Sequence, residues 1–528
     1  MRRRALSFLV AIPLIACSIT DRLRSDPAAT PSSVPSPSVT LPPSARPSAT
    51  PPPSPTLPPT PRIPSQELKG HESALLPDYR QELYRLTGAT RYWIDVVVTF
   101  DPVGQKATIE GSARIQYTNP SRRDLNDFVL MLWPNHDQYR SSMDAGPAQL
   151  GDETLLPREE LQGIALRYAL PEPLQPAATL DISVPFSIQA SGPIGGGFLH
   201  RFGITQGVFI APTFYPLVPR LLEDAWQVED APPGGDTTNS DTAFFEVRLT
   251  APSQYGLAAS GVEIEARDNG DGTRTTTFVT GPMRDFAFAL GKFSAVDREV
   301  GEVKLRAWVL PSHADQTTRF LDHAEAQMEL LEELVGPYPY TELDLVDAPD
   351  AFGGIEYPGL VFVGTLGGPN IIDATVHEVA HQWFYGLIGD DQLRELWLDE
   401  AAATYAEILF YERVFGSGTA AGLLRDYRSW VRSHRDPTIA IGLGIGDYAS
   451  PSDYGLFVYI KGALFFDALR RELGDERFFS FLRAYFESYR YGFATASGFH
   501  SLAEQTCSCD LDSLFDLWVY KGGQVFEP

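Results

Sequence analysis

Five consecutive residues, His377-Glu378-Val379-Ala380-His381, set two imidazoles four positions apart, with a carboxylate beside the first. On a helix, positions i and i+4 share a face, so both rings can reach one ion. Glu378 then stands where it can take a proton from water at that ion, as a general base. Val376, Val379, Ala380 and Trp383 supply the apolar contacts that such a helix needs. A catalytic zinc takes three protein ligands and keeps a position for water. Glu400, in Trp397-Leu398-Asp399-Glu400, follows His381 by nineteen positions near the start of a second helical segment. A short loop over 386–391 lets that helix fold back on the first. Two His and one Glu make a known catalytic zinc set, so one Zn2+ per chain is expected on His377, His381 and Glu400.

The elements that must position these residues fall into two blocks. Residues 81–297 read as strands: Tyr92 to Phe100 is β-rich and partly alternating, Asp101-Pro102-Val103-Gly104 supplies a turn, and Ala107 to Thr118 alternates again. Asn269-Gly270 and Asp271-Gly272, between two strand-like runs, mark a hairpin. An antiparallel β-domain is expected here. Residues 298–528 change character. Three short strand-like runs (304–310, 343–346, 360–363) and a helix over 313–335 precede helical segments at 372–385, 393–414, 455–473, 476–489 and 511–520. Gly474 fits a helix stop and Asp475 a cap for the next helix. The fold class is α+β, and no repeat of solenoid length is present.

Composition narrows the setting. With 68 acidic against 42 basic residues the formal charge is −26, which excludes a nucleic-acid partner, since phosphate binding needs a basic surface. Arg2, Arg3 and Arg4 precede the apolar run Ala5 to Ala16, too short for a bilayer span but of signal-peptide length. The run ends in Leu14-Ile15-Ala16-Cys17, which resembles a bacterial lipoprotein signal: residues 1–16 would be removed and a lipid carried on Cys17. The Pro-, Ser- and Thr-rich stretch that follows cannot bury enough surface to fold and reads as a tether over 17–80. These features predict a lipid-anchored, extracytoplasmic protein of the bacterial cell envelope. The cysteines Cys507 and Cys509 are expected as free or partly oxidised thiols.

The spacing H-E-x-x-H, eighteen residues, then Glu within a W-L-x-E segment resembles the aminopeptidase N (alanyl aminopeptidase and leukotriene hydrolase) family of gluzincin zinc metallopeptidases. Three further segments match in order. Gly353-Gly354-Ile355-Glu356-Tyr357 resembles the family's G-x-M-E-N exopeptidase motif, with Ile and Tyr replacing Met and Asn. Tyr459-Ile460-Lys461-Gly462 resembles its Y-x-K-G segment, and Gly336-Pro337-Tyr338-Pro339-Tyr340 resembles its F-G-x-Y-P-Y lead-in. The likeness covers roughly residues 85–520. It implies an N-terminal antiparallel β-sheet domain followed by a thermolysin-like, mainly helical catalytic domain with a small β-sheet. It implies that Glu378 is the general base and that Tyr459 donates to the oxyanion of the tetrahedral intermediate. Glu356 would pair with the substrate α-amine, with Gly353 and Gly354 lining the cleft, and Glu407 would orient a zinc-binding histidine. The chain ends about 130 residues after Glu400, so the helical-repeat domain of larger relatives is not expected.

The expected activity is release of N-terminal residues from peptides with a free N-terminus. Competing readings are an endopeptidase or an epoxide hydrolase on the same zinc site, and a non-catalytic envelope-binding lipoprotein. Glu356 argues against the first, and the presence of both Glu378 and Tyr459 against the last.

Overall fold

The computed structural model describes residues 68–137, 139–194, 201–223, 225–232, 238–348, 353–364, 366 and 371–525. The signal segment, Cys17 and the tether as far as residue 67 lie outside the described residues. The sequence runs the tether to residue 80, but the packed chain begins earlier: Leu68, Leu75 and Leu83 are buried against the helical core. Leu68 and Leu75 flank a short 3-10 segment, Lys69–Ala74, and Leu83 lies on a second, Pro77–Arg85.

Strand Thr90–Asp101 buries Ile94, Val96, Val98 and Phe100 and exposes Asp95, Val97 and Thr99, the period-two pattern of a sheet with one covered face. It pairs antiparallel with Lys106–Thr118, and Asp101 Oδ1 closes the turn by accepting from the Val103 and Gly104 amides at 3.1 and 2.9 Å. On its other side it pairs with Ala243–Pro252 in parallel, which departs from the all-antiparallel sheet expected. Period-two alternation is the same for both directions, so only the long crossover between these strands determines this pairing. The hairpin at Asn269-Gly270 is present, joining Val262–Asp268 to Thr273–Val279.

The second block starts with a five-stranded mixed sheet. Ser294–Val300, Val303–Val309, Glu342–Asp347, Leu360–Val363 and Gly354–Tyr357 lie side by side in that order, so Gly354–Tyr357 forms an edge. Helix Thr317–Leu334 packs across the sheet, and helices Ile371–Ala380 and Trp397–Phe415 pack on one another beside it. Trp383 and Trp397 are fully buried; each such side chain contributes roughly 2–3 kcal/mol through the area it removes from water.

Local departures from the sequence reading have physical reasons. The His377 helix ends at Ala380 rather than running to Tyr385. Beyond it the Gly386, Leu387 and Ile388 amides reach the carbonyls five residues back at 2.8, 3.1 and 2.9 Å, a wide turn that puts Tyr385 at φ 115°. Helices Ser417–Ser433 and Ala496–Cys507 went unread, although Ala420, Leu423, Tyr427 and Val431 of the first lie at helical spacing. Gly474 does stop its helix at φ 75°, but Asp475 caps nothing and instead takes Arg470 at 2.8 Å. Cys507 and Cys509 are not free thiols but a disulfide. The helix ends at Cys507, and Ser508 in the left-handed region turns the chain back to bring the two cysteines together.

Candidate active site

His377 and His381 present their Nε2 atoms to each other at 3.0 Å. Glu400 Oε2 stands 3.1 Å from the first and 3.2 Å from the second. All three side chains are buried. The far nitrogen of each ring is occupied: Glu407 Oε1 accepts from His377 Nδ1 at 2.7 Å, and the Phe384 carbonyl accepts from His381 Nδ1 at 2.8 Å. A carbonyl only accepts, so His381 carries its neutral-state proton on Nδ1, and its Nε2 offers a lone pair. Two ring lone pairs and a carboxylate oxygen thus converge in a buried space, an arrangement that calls for a cation.

The surrounding carboxylates favour positive charge at this point, whether carried by a ring proton or by a metal ion. Burial disfavours a charged His377, but hydrogen bonds to Glu400 and Glu407 outweigh it and hold its pKa well above the ordinary histidine range. Burial acts against His381 too, yet Glu356 and Glu400 raise it to about 10. For Glu400 burial is overcome by the two histidines, which hold it well below the usual carboxylate range. Two nitrogens and a carboxylate suit zinc by donor type. His377, His381 and Glu400 therefore fit the expected set. Among the described residues, the other groups of this kind are Glu356, Glu378 and His381, and the more exposed His500, Glu504 and Asp512. In the latter, His500 Nε2 lies 3.5 and 3.9 Å from the carboxylates, as in ordinary ion pairs.

Glu378 is buried beside this cluster, and its Oε2 has no hydrogen-bond partner. Burial pushes its pKa up to about 8; His377 acts against that and Glu356 adds to it. Glu356, on the edge strand, has a carboxylate oxygen within 4.8 Å of ligand-type atoms of Glu378 and His381. Two adjoining buried carboxylates favour a positive group between them.

The glycines of the strand differ in what they do. A Cβ on Gly354 would lie 2.2 Å from Glu378 Oε1, whereas one on Gly353 would meet nothing within 4 Å. Gly354 makes room for the Glu378 side chain, so its expected role in lining the cleft becomes one of admitting the carboxylate. Among the described residues, nothing lies within 4 Å of a Cβ on Gly353. The replacements Ile355 and Tyr357 both point into packing, Tyr357 edge-on to Phe362 at 5.8 Å.

Tyr459 lies on a π-helical segment, Gly455–Lys461, and its hydroxyl donates to Glu400 Oε1. Such i→i+5 turns shift the facing of side chains within a helix and are frequent at functional sites. The other positions of the motif explain themselves. Lys461 is buried and donates to the Pro437 and Ile439 carbonyls at 2.9 and 2.6 Å. A Cβ on Gly462 would lie 2.4 Å from Ala401 Cβ, so glycine lets this helix approach the one carrying Glu400. Asp399 is buried, accepting from Gln392 Nε2 at 2.5 Å. In the lead-in segment, the Gly336 carbonyl accepts from Trp383 Nε1 at 2.7 Å, and Tyr338 packs on the same indole at 5.6 Å, bracing the chain just after His381.

Sequence reasoning missed three neighbours. Tyr454 stands edge-on to Tyr459 at 5.6 Å. The Tyr385 hydroxyl donates to Asp285 at 2.5 Å, tying the wide turn to the β-domain. Arg201, also from the β-domain, borders the space beside Glu356. Tyr454 and Arg201 sit at no recognisable spacing from the histidines, and Tyr385, four positions after His381, is taken off the helix face by the wide turn.

The description "Peptidase family M1 domain" matches residues 319–518. Human aminopeptidase B is 29% identical over 232 residues, 41% of this chain and 36% of the relative. Aminopeptidase M1-B of Oryza sativa subsp. japonica is 26% identical over 310 residues, 53% of this chain and 34% of the relative. The matches thus span about a third of the length of these curated relatives. Among solved structures, an M1 zinc metallopeptidase from Deinococcus radiodurans superposes with a TM-score of 0.61 at 20% identity, over 84% of this chain and 95% of that one. A mutant M1 zinc metallopeptidase from the same organism, bound to a Tyr-Ser-Ala substrate, gives 0.62 at 18% identity, over 84% and 96%. At these identities the likeness to the solved structures is one of fold.

Proposed function

We propose that this chain, whose residues 319–518 match a peptidase family M1 domain, is a zinc-dependent aminopeptidase of the aminopeptidase N type of gluzincins, releasing N-terminal residues from peptides. The observation that carries the reading is the Glu356 carboxylate lying beside Glu378 and His381, next to a converging two-His, one-Glu set. His377, His381 and Glu400 hold the zinc. When bound, zinc supplies Lewis acidity toward the scissile carbonyl and brings the pKa of water near neutrality.

The chain's own residues do the rest. Glu378 accepts the proton of the attacking water at its unpartnered Oε2 and returns it to the departing amine. Tyr459 turns its hydroxyl from Glu400 to the carbonyl oxygen as negative charge develops there. Glu356 binds the substrate's α-ammonium, which fixes the scissile bond one residue in. Glu407 holds the tautomer and orientation of His377. Gly354–Tyr357, as an edge strand, offers backbone groups to an extended peptide.

The test is a matched peptide pair, one with a free N-terminus and one acetylated, with and without a zinc chelator. Chelator-sensitive cleavage of the free peptide alone is expected. Cleavage of both would make the enzyme an endopeptidase, and cleavage of neither by zinc-loaded protein would remove the peptidase reading.

The setting belongs to the same proposal: a lipid on Cys17 and an extracytoplasmic, envelope-anchored enzyme. The Cys507–Cys509 disulfide supports an oxidising compartment, and no helix among the described residues is long and apolar enough to cross a membrane. Expressed in a bacterium with lipoprotein processing, the full chain is expected in the membrane fraction and its Cys17→Ser variant outside it; equal partitioning would remove the anchor.

A further inference from the structure

One peptide unit, between Phe384 and Tyr385, stands behind the imidazole of His381. Its carbonyl accepts from His381 Nδ1 at 2.8 Å, and its N–H donates to the Ile388 carbonyl at 2.9 Å. Carbonyl and N–H share one plane, so the dihedral that joins this plane to the rest of Tyr385 also aims the carbonyl at the ring. That dihedral is φ 115°. A tyrosine stays in so sparsely populated a region only where its surroundings hold it there. Relaxation of φ would swing the Phe384 carbonyl off Nδ1.

Tyr385 is held at two points by consecutive residues of the β-domain. Arg284 Nε donates to its carbonyl at 2.8 Å, and its hydroxyl donates to Asp285 Oδ2 at 2.5 Å. Both holders are buried. Asp285 Oδ1 has no hydrogen-bond partner, so the bond from Tyr385 is what compensates the burial of this carboxylate. Arg284 is fixed in its turn. Its Nη1 and Nη2 donate to the Ser240 and Gly492 carbonyls, and its guanidinium lies 4.4 Å from the centroid of the Phe493 ring. The end of the wide turn is shaped around it, since a Cβ on Gly389 would lie 2.2 Å from Arg284 Cζ.

We propose that Arg284 and Asp285 are positioning residues for the metal centre: by gripping the Tyr385 carbonyl and hydroxyl they keep the Phe384 carbonyl on His381 Nδ1, and so keep the Nε2 lone pair directed at the metal. The inference rests on the reading above in which His377, His381 and Glu400 hold zinc. Arg284 and Asp285 act through Tyr385, so their loss is felt as metal affinity and not only as stability of the fold. Removing the acceptor behind a zinc-binding histidine weakens the metal about 10–100-fold, and holders one step further out are expected at the lower end of that range.

The experiment measures the zinc affinity of the full chain by competition with a chelator of known affinity, together with the visible spectrum of the Co2+-loaded protein. Asp285→Ala and Arg284→Lys, which lacks the planar fork, are each expected to weaken zinc about tenfold and to change the Co2+ bands. Asp285→Asn keeps an acceptor for the Tyr385 hydroxyl and is expected to stay within about twofold of the parent. In a Tyr385→Phe background Asp285→Ala is expected to add nothing, because the contact is already gone. Val96→Ala, which truncates the separate core of the β-domain, is the control: it lowers Tm and leaves zinc affinity unchanged. Unchanged zinc affinity in Asp285→Ala overturns the proposal. So does an equal loss in Asp285→Asn or in Val96→Ala, or a full further loss in the Tyr385→Phe background. The Asp285 series decides alone if Arg284→Lys is recovered unfolded. A parent that binds one zinc and cleaves a free peptide keeps the aminopeptidase reading whatever these variants do; a parent that binds none removes both.

Discussion

Glu378 follows His377 in the chain and Glu407 accepts from its Nδ1, and their substitutions separate chemistry from metal holding. Glu378→Gln keeps the side chain's volume and removes its basicity. Zinc content is expected to stay at one per chain while kcat falls about 10²–10⁴-fold, the usual worth of a general base; activity near the parent's would end that assignment. Glu407→Gln leaves an acceptor for His377 Nδ1 but removes its charge. The expected result is zinc binding weaker by about 10–100-fold, with kcat at saturating zinc much less affected. Competition with a chelator of known affinity reads this directly, and unchanged affinity would make Glu407 a bystander. Tyr459→Phe is expected to lower kcat by about 10²–10³-fold with little change in KM, because its bond to the substrate oxygen forms mainly in the transition state. A defect confined to KM would assign Tyr459 to binding.

At the scale of elements, close approaches decide whether the residues meet. The edge strand carrying Glu356 touches the His377 helix at Gly354, where an added methyl would overlap the Glu378 carboxylate. Gly354→Ala is therefore expected to depress kcat strongly by displacing Glu378. Gly353→Ala, one position earlier with nothing within 4 Å of its Cβ, is expected to change it far less. Equal effects of the two, measured with matched thermal stability, would show that the contact does not position Glu378. Gly462 plays the corresponding part between the Tyr459 and Glu400 helices. In the sequence, these glycines stand beside chemically obvious residues and read as parts of a motif. The structure shows that they set the distances between elements.

Across the whole molecule, the first described segment acts as a strap. Leu68, Leu75 and Leu83 pack into the helical core, while His71 Nδ1 meets the Thr280 carbonyl of the β-domain at 2.7 Å and its ring packs against Phe244. Burial lowers the His71 pKa to about 4. A histidine whose folded pKa lies below its unfolded value near 6.5 binds fewer protons when folded, so its contribution is present above that value and lost as pH falls toward 4. The shift corresponds to about 3 kcal/mol. Melting temperatures of the zinc-loaded protein are expected to drop between pH 6.5 and 4.5, less steeply in His71→Leu. An identical slope in the variant would mean that the strap docks without His71 remaining neutral.

What can be read from the spacing of residues is local: i,i+4 helical periodicity puts His377 and His381 on one face, the third ligand that a catalytic zinc takes points to Glu400, and alternation marks the β-block. These are local regularities, and a chain carries them in its spacing. The rest follows from packing between elements. It made Thr90–Asp101 and Ala243–Pro252 parallel neighbours, joined Cys507 to Cys509, packed residues 68–85 into the core, turned Tyr385 off the His377 helix, and brought Asp285 and Arg201 to the cleft from far along the chain. Contacts between distant segments depend on how whole elements pack, and packing leaves no fixed interval in the sequence to read.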